Sequence, residues 1–336
     1  MPSLPRLKRR PPGVDEFDLI KRLLAPLAAA TPGTFDLTND AAIISPPVGQ
    51  DLVVTKDMVA AGIHFLPDDP PNLIARKLLR VNLSDLAAMG ASPLGYLVGA
   101  AFSEPLDEDW LIQFVDGLAA DQEDFGLGLM GGDTIAVGDG PLVLSLTALG
   151  VVPQGGALTR SGAVPGNLLA VSGTLGDGAL GLRCLRGEIA ADPDDHDYLV
   201  DRYRLPRPRL ELGSALIGRA TAALDISDGL AADAGHLSEQ SNVAIRIDVD
   251  SLPLSGAARR LVDGDPAYLD SVLTGGDDYE LLFTIGEADL ADVRDTDAGV
   301  RVIGMVEAGS GVWIVDADGH DITPTKTGWR HGKSAG

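Results

Sequence analysis

Apolar residues recur along the chain in two patterns, one with the period of a helix and one with the alternation of a strand. The strongest helical pattern, NLIARKLLRVNLSDLAAMG, begins at Asn72 and closes at Gly90, a residue type that commonly ends helices. Helices are also predicted over DEDWLIQFVDGLAADQEDFG and over DEFDLIKRLLAPLAAA, where Asp15 caps and Pro26 kinks or ends the helix. Strands are predicted over TNDAAIIS, QDLVVTKDM, PLGYLVGAAF, LGLMGGDT and LVLSLTALGVV.

The composition changes near residues 150–167, where PQGGALTRSGAVPGN is rich in glycine and proline. A domain boundary is expected there. Beyond it the mixture repeats: strand LLAVSG, helix GALGLRCLRG, acidic loop DPDDHD, strand NVAIRIDV and the apolar end of TGGDDYELLFTI. We therefore expect a mixed α/β (α+β) fold with a flexible basic tail over residues 1–14, an N-terminal domain over 15–152 and a C-terminal domain over 153–336.

The charge balance excludes one class of partner. Lys and Arg number 26 against 49 Asp and Glu, a net charge of −23, and a nucleic-acid-binding protein needs a basic surface instead. Cys184 is the lone cysteine, so no intrachain disulfide forms. No apolar run is long enough to span a membrane, and the basic N-terminus lacks the apolar core of a secretory signal. A cytoplasmic protein is expected.

Two nucleotide-binding motifs are excluded. GLGLMG, from Gly126, has the G-x-G-x-x-G spacing of a dinucleotide-binding loop. It follows a predicted helix and lies in a predicted strand, which is the reverse of the strand-then-helix context that this loop requires. The phosphate loop G-x-x-x-x-G-K-[ST] does not occur. Any nucleotide site must therefore be of another kind.

Aspartates at the ends of apolar segments carry the chemical signal. Taken singly, each is explained as a helix cap or a turn residue. Strand ends converge on one edge of a sheet, so six or more carboxylates could face one cleft, where they would repel each other unless cations lay among them. Oxygen ligands without His or Cys clusters favour Mg²⁺ over zinc. These aspartates are Asp40, Asp57, Asp85, Asp133, Asp225, Asp228, Asp277 and Asp278.

Seven short stretches carry a family resemblance. They are DMVAAGIHF, RKLLRVNLSDLAAMGASP, GGDT, ALTRSGAVPGN, LDISDGLAADAGHLS, TGGDDYELLFT and the GW of TKTGWRHG. Their order, from about residue 15 to 330, resembles the thiamine-monophosphate kinase family of the aminoimidazole-ribonucleotide synthetase (PurM-like) superfamily. The resemblance implies a two-domain fold in which the N-terminal mixed sheet pairs across a homodimer and the C-terminal half closes over the nucleotide. It also implies Mg²⁺-dependent transfer of the ATP γ-phosphoryl to thiamine monophosphate, giving thiamine diphosphate and ADP.

The same resemblance implies a set of site residues. The implied magnesium ligands, direct or through water, are Asp40, Thr55, Lys56, Asp57, Asp85, Asp133, Asp225 and Asp228. The implied ATP contacts are Gly132, Asp133, Arg160 and Ser227, and the implied thiamine phosphate contacts are His64, Asp277 and Trp329. Neither a general base nor a nucleophile is expected, because a phosphate acceptor is already ionised at neutral pH and the enzyme then positions groups and neutralises charge.

Three positions depart from the family pattern. Asn39 stands where an aspartate is usual, so Asp40 alone is predicted as the ligand there; Lys56 replaces a hydroxyl residue, and Asp277 replaces a glutamate. From the residues alone, His64 and Trp329 are equally explained by packing. The sister activities need a reactive C-terminal or N-terminal cysteine, and neither end has one. The rival interpretation is a non-catalytic nucleotide- or metal-binding protein, supported by Asn39 and Asp277.

Overall fold

The computed structural model describes residues 20–102 and 107–328, which form two β-sheets with helices packed on them. The first sheet has the strand order β1-β4-β2-β3, in which β2 and β3 are parallel and the other neighbours antiparallel. Its elements are a π-helical turn Ile20–Leu24, α1 Ala25–Ala28, β1 Gln50–Ala60, α2 Pro71–Ala88, β2 Ser92–Phe102, α3 Glu108–Phe125, β3 Gly128–Ala136 and β4 Val143–Pro153.

The second sheet has the strand order β10-β7-β9-β5-β8-β6. Strand β8 is buried along its whole length, as expected for the continuous apolar run LLFTI. The elements are β5 Leu168–Val171, α4 Asp177–Leu185, α5 Pro193–Arg204, α6 Leu210–Leu216, β6 Ala220–Asp225, α7 Leu230–Ser241, β7 Ala244–Asp248, α8 Gly256–Gly264, α9 Tyr268–Thr274, β8 Leu281–Ile285, α10 Leu290–Thr296, β9 Arg301–Glu307 and β10 Gly311–Val315.

Helix α2 joins the two sheets. One side of it buries Leu78 and Leu83 in the core of the first sheet. At its C-terminal end, Ala87 and Ala88 belong to a core that also contains Leu212 and Phe283 of the second half. The polar residues just before that end, at positions 82–85, therefore lie where the two halves meet.

The predicted helices and strands are confirmed for most of the chain, with two corrections. The segment 38–45, predicted as a strand, is irregular and largely exposed. The Ile43 N–H of this segment donates to the Gly33 carbonyl at 2.9 Å, and Pro46 and Pro47, which follow, lack the N–H that a β-ladder needs. Among residues 20–102 and 107–328, no strand pairs with this segment.

The acidic segment 192–197, predicted as a loop, is the start of α5. Pro193 occupies the first helical turn, and Asp194 and Asp195 lie in the same turn, where the helix dipole favours negative charge. The basic tail at 1–14, the beginning of the first predicted helix and Trp329 lie outside the described residues. In the described part of the chain, no helix combines the length and apolar character that crossing a membrane demands.

Candidate active site

Strand β1 and helix α2 bring two predicted aspartates together. Thr55 and Asp57 are two residues apart on β1, so their side chains share the face that looks toward α2. The Thr55 hydroxyl donates a hydrogen bond to Asp85 Oδ2 at 2.5 Å. The Asp57 backbone N–H donates to the Asn82 side chain of α2 at 3.1 Å. One half of the site is thus formed by alternate residues of β1 and by polar residues near the C-terminal end of α2.

The third aspartate comes from the second sheet. Asp225 is the last residue of β6 and is buried, with 4% of its surface exposed. Its Oδ2 accepts a hydrogen bond from the Ser84 hydroxyl of α2 at 2.7 Å. Adjacent residues of α2, Ser84 and Asp85, therefore hold the two halves of the site. We call Asp57, Asp85 and Asp225 the carboxylate cluster.

Burial raises the pKa values of all three carboxylates of the cluster, and repulsion from Asp85 adds to this for Asp57 and Asp225. Burial, and then the charge of Asp85, raise the pKa of Asp57 to about 6. Burial also raises the pKa of Asp85, although the Thr55 hydrogen bond and the Arg160 charge oppose this. For Asp225, burial comes first and the charge of Asp85 second, and its pKa lies well above the ordinary value. In residues 20–102 and 107–328, none of the three forms an ion pair with Lys or Arg.

This donor set fits a magnesium ion. The cluster offers carboxylate oxygens and the Thr55 hydroxyl, which are the hard oxygen ligands that Mg²⁺ takes. One buried and two half-buried carboxylates facing each other without a cation are costly, and a divalent ion removes that cost. Of the predicted ligands, the structure brings together Thr55, Asp57, Asp85 and Asp225.

The loop after β6 places Ser227 and Asp228 beside this cluster. The Asp233 carboxylate of α7 accepts hydrogen bonds from the backbone N–H groups of Ser227, Asp228 and Gly229 at 3.0–3.1 Å. Asp233 thus fixes the loop, while the Asp228 carboxylate is left half-buried. Burial and the charge of Asp228 raise the pKa of Asp233 to about 7. The charge of the exposed Arg160 lowers the pKa values of both Asp85 and Asp233, so it acts on both sides of the site.

The predicted acceptor contacts His64 and Asp277 are linked through two buried side chains. Lys77 of α2 places its ammonium 3.3 Å from Asp277 Oδ2 and 3.5 Å from the centroid of the Tyr203 ring. The Tyr203 hydroxyl donates to the His64 carbonyl at 3.2 Å. His64 Nδ1 accepts the Ala60 N–H at 3.1 Å, which fixes the ring against the end of β1.

The other predicted residues lie apart from the cluster, and two of them, Lys56 and Asp133, lie on the opposite face of the first sheet. Lys56 donates to the Ser145 hydroxyl, and Asp133 is in the same cross-strand row as Ser145, so both point away from α2. Gly132 shares a row with Asp57 three strands away, about 14 Å at ordinary strand spacing. A Cβ at Gly132 would lie 2.1 Å from the Val98 carbonyl, so close strand packing requires this glycine. Asp40 is exposed in the irregular segment before β1.

Sequence reasoning missed Lys77, Ser84 and Tyr279. The Tyr279 hydroxyl lies beside the Asp277 carboxylate, and the charges of Asp277, Asp57 and Asp225 act on it. Lys77 lies seven and eight residues before Ser84 and Asp85, which places all three on one side of α2. A cation in that position of the helix was the signal that could have identified Lys77.

The comparisons with known proteins agree with this geometry. Residues 38–152 match the family model described as AIR synthase related protein, N-terminal domain, and residues 164–317 match its C-terminal domain. A thiamine-monophosphate kinase of Caulobacter vibrioides is 44% identical over 324 residues, which cover 94% of this chain and 91% of that protein. The chain belongs to the thiamine-monophosphate kinase family.

Solved structures of this family share the fold. A thiamine-monophosphate kinase from Stenotrophomonas maltophilia K279a is 40% identical, with a TM-score of 0.81 over 91% of this chain and 97% of that one. A structure described as AaThiL complexed with AMPPCP and TMP is 30% identical, with a TM-score of 0.76 over 94% and 96%. The family resemblance and the PurM-like α/β fold predicted from the sequence are confirmed.

Proposed function

We propose that the protein transfers the γ-phosphoryl group of ATP to thiamine monophosphate, giving thiamine diphosphate and ADP, with magnesium bound at the carboxylate cluster. The observation that carries this proposal is the meeting of three carboxylates from both halves of the chain without a basic partner within ion-pair distance among the described residues. Support comes from the related AaThiL structure, complexed with AMPPCP and TMP.

The residues of the chain have distinct tasks in this reaction. Asp57, Asp85, Asp225 and the Thr55 hydroxyl would hold magnesium, which when bound neutralises phosphate charge. Two unit charges about 4 Å apart repel by roughly 4 kcal/mol at an effective dielectric of 20, so two phosphate groups cannot approach without such neutralisation. Arg160 adds a guanidinium beside the cluster, and that group can clamp a phosphate through two hydrogen bonds.

No described side chain needs to act as a general base. The acceptor phosphate, whose second pKa is about 6, is ionised at neutral pH. The loop at Ser227 and Asp228 is already fixed by Asp233, so it needs no reordering when a nucleotide arrives. Direct in-line transfer through positioning and charge neutralisation follows from this arrangement.

The open face of the first sheet supports the homodimer as part of the proposal. Leu52, Val54 and Met58 on edge strand β1 and Ile135 on β3 expose 40–57% of their surfaces, and an exposed apolar edge strand favours pairing with another chain. We propose that a second copy of the chain packs on this apolar face, so that Asp133 and Lys56 would face the second copy. Sedimentation showing the mass of one chain at micromolar concentration would contradict the dimer. The cytoplasmic location stays a prediction.

Phosphorus NMR of purified protein with ATP, Mg²⁺ and thiamine monophosphate tests the reaction. Thiamine diphosphate is expected to appear in step with ADP; ATP binding without diphosphate formation would refute the proposal.

Asp228→Asn is expected to slow turnover by at least about 100-fold, with the circular dichroism spectrum unchanged. Unchanged turnover would remove Asp228 from the site. Asp318→Asn, at an exposed turn, is the matched control and is expected to keep full activity.

A further inference from the structure

Lys77 is a buried lysine between the two halves of the chain. Its side chain is 5% exposed, and its ammonium contacts Asp277 and the Tyr203 ring. Burial lowers the pKa of Lys77, while the charge and hydrogen bond of Asp277 oppose this. A buried ammonium is kept charged by such partners, and the face of the tyrosine ring adds a cation–π contact. Lys77 therefore depends on two residues from the other half of the chain.

The loop that carries Asp277 is held in a strained conformation. Asp277 has φ +70° and Tyr279 has φ +52°, a region that a bulky residue adopts only when its surroundings impose it. The backbone N–H groups of these two residues donate to the carbonyls of Ser227 and Ile226 at 3.1 and 2.8 Å. A Cβ at Gly276 would lie 2.2 Å from the Ser227 carbonyl, so the loop is pressed onto the segment that follows β6.

The partners of the Asp277 carboxylate leave room for a ligand. An ionised carboxylate has about four acceptor sites; Lys77 takes one, and the Tyr279 hydroxyl lies beside the same carboxylate. The Asp277 side chain is 26% exposed, whereas that of Lys77 is 5% exposed. The Asp277 carboxylate thus keeps acceptor sites that a ligand can reach.

We propose that Lys77 is a positioning residue for the acceptor substrate: it fixes the Asp277 carboxylate, with Tyr279, and it anchors the His64 segment through Tyr203. This inference rests on the proposed function and on Asp277 as an acceptor contact. The chemical class recognised is a cationic or amino-bearing heteroaromatic group, which a fixed carboxylate attracts.

The test compares Lys77→Met with Arg76→Met on the same helix. Arg76 pairs with the buried Asp121 on another side of α2, and Arg80 still binds Asp121 in that variant, so the control removes a cation without touching Asp277. Lys77→Met is expected to raise the KM for thiamine monophosphate at least about tenfold, with the KM for ATP within about twofold. Arg76→Met is expected to change neither.

Equal changes in both KM values, or an unchanged KM for thiamine monophosphate in a folded Lys77→Met protein, would overturn the inference. If Lys77→Met does not fold, Tyr279→Phe removes one hydroxyl from Asp277 and is expected to raise the same KM about threefold or more; no rise would equally overturn it. Calorimetric titration with thiamine monophosphate in the presence of AMPPCP measures the same preference without turnover. A wild-type protein that binds but forms no diphosphate refutes the proposed function, while the titrations still decide the role of Lys77.

Discussion

Two buried carboxylates, Asp225 of the carboxylate cluster and Glu280, lie next to each other in this molecule and have opposite surroundings. In the carboxylate cluster, Asp225 pairs with Leu281 across the β6–β8 ladder. The next residue back along the chain, Glu280, belongs to what we call the arginine network: Glu280, Arg202 and Arg209. Glu280 accepts hydrogen bonds from Arg202 at 2.9 Å and from Arg209 at 2.6 and 2.7 Å. Neighbouring positions in one sheet thus hold a fully paired carboxylate and an unpaired one.

The difference separates two uses of a buried charge. In the arginine network the Glu280 carboxylate is balanced by two guanidinium groups of the protein itself. Glu280 therefore ties the start of β8 to α5 and to the segment before α6, and this carboxylate needs no cation from outside. In the carboxylate cluster the protein supplies hydroxyl donors from Thr55 and Ser84 but no ion pair among the described residues. A charge left unbalanced in this way is balanced by a ligand.

Replacing Glu280 should have the largest effect on folding. Glu280→Gln leaves the guanidinium groups of Arg202 and Arg209 without their common anion in a buried place, which typically costs about 3–5 kcal/mol. The free energy of unfolding from urea titrations measures this loss. Asp201→Asn breaks the exposed pair with Arg207 and should change stability by less than about 1 kcal/mol. Similar losses for the two variants would mean that the arginine network contributes no more than a surface pair.

Replacing Asp225 should affect activity strongly and stability little, unlike the replacement of Glu280. Asp225→Asn removes one of three repelling charges, so the metal-free protein should be at least as stable as the wild type. Turnover with saturating Mg²⁺ should fall by about 100-fold or more, because a proposed metal ligand is lost. Urea titration in EDTA and a steady-state assay check the two halves of this statement. A stability loss as large as that of Glu280→Gln would make Asp225 a structural residue like Glu280.

The carboxylate cluster was accessible from the sequence because its members stand at places with a local signature. Asp57 and Asp225 lie in or at the end of apolar strands, and Asp85 lies on a strongly periodic helix. Glu280 and its arginines carry no such signature, since DDYELL and RYRLPRPRL are separated by some 70 residues and only the tertiary fold brings them together. The same holds for Lys77 and Asp277, which are 200 residues apart.

The errors in the fold have related causes. The segment 38–45 has the alternation of a strand, but a strand also needs a neighbour, and the residue pattern does not state whether one is present. In DPDDHD, proline and aspartate favour both a turn and the first turn of a helix. The buried Leu199 and Tyr203 further along α5 decide for the helix. In both segments the residue pattern allowed two conformations, and tertiary packing decided which of the two formed.

The pH dependence of stability should show the smallest difference between the two groups. Burial raises the pKa of Asp57 from 3.8 to about 6 in the folded protein, so the folded state holds this proton more tightly than the unfolded chain. The group therefore favours folding below about pH 4, and that contribution is lost as the pH rises through 6. The pKa of Asp233 is raised to about 7, so its contribution to stability also falls as the pH rises, and the fall ends about one pH unit higher than for Asp57.

Metal-free wild type should thus lose stability between pH 4 and 7, and Asp57→Asn should lose about 1–2 kcal/mol less over this range. Urea titrations in EDTA at half-unit steps measure both curves. Their difference isolates Asp57, because the repulsion from the net charge of −23 and the titration of Asp233 are nearly the same in the two proteins. Mg²⁺ at pH 7 should stabilise the wild type more than Asp57→Asn, since the variant lacks one of the carboxylates proposed to bind the ion. If the two proteins lose the same stability over this pH range in EDTA, the charge of Asp57 is balanced inside the protein as that of Glu280 is. The contrast with the arginine network would then not include the Asp57 position on β1.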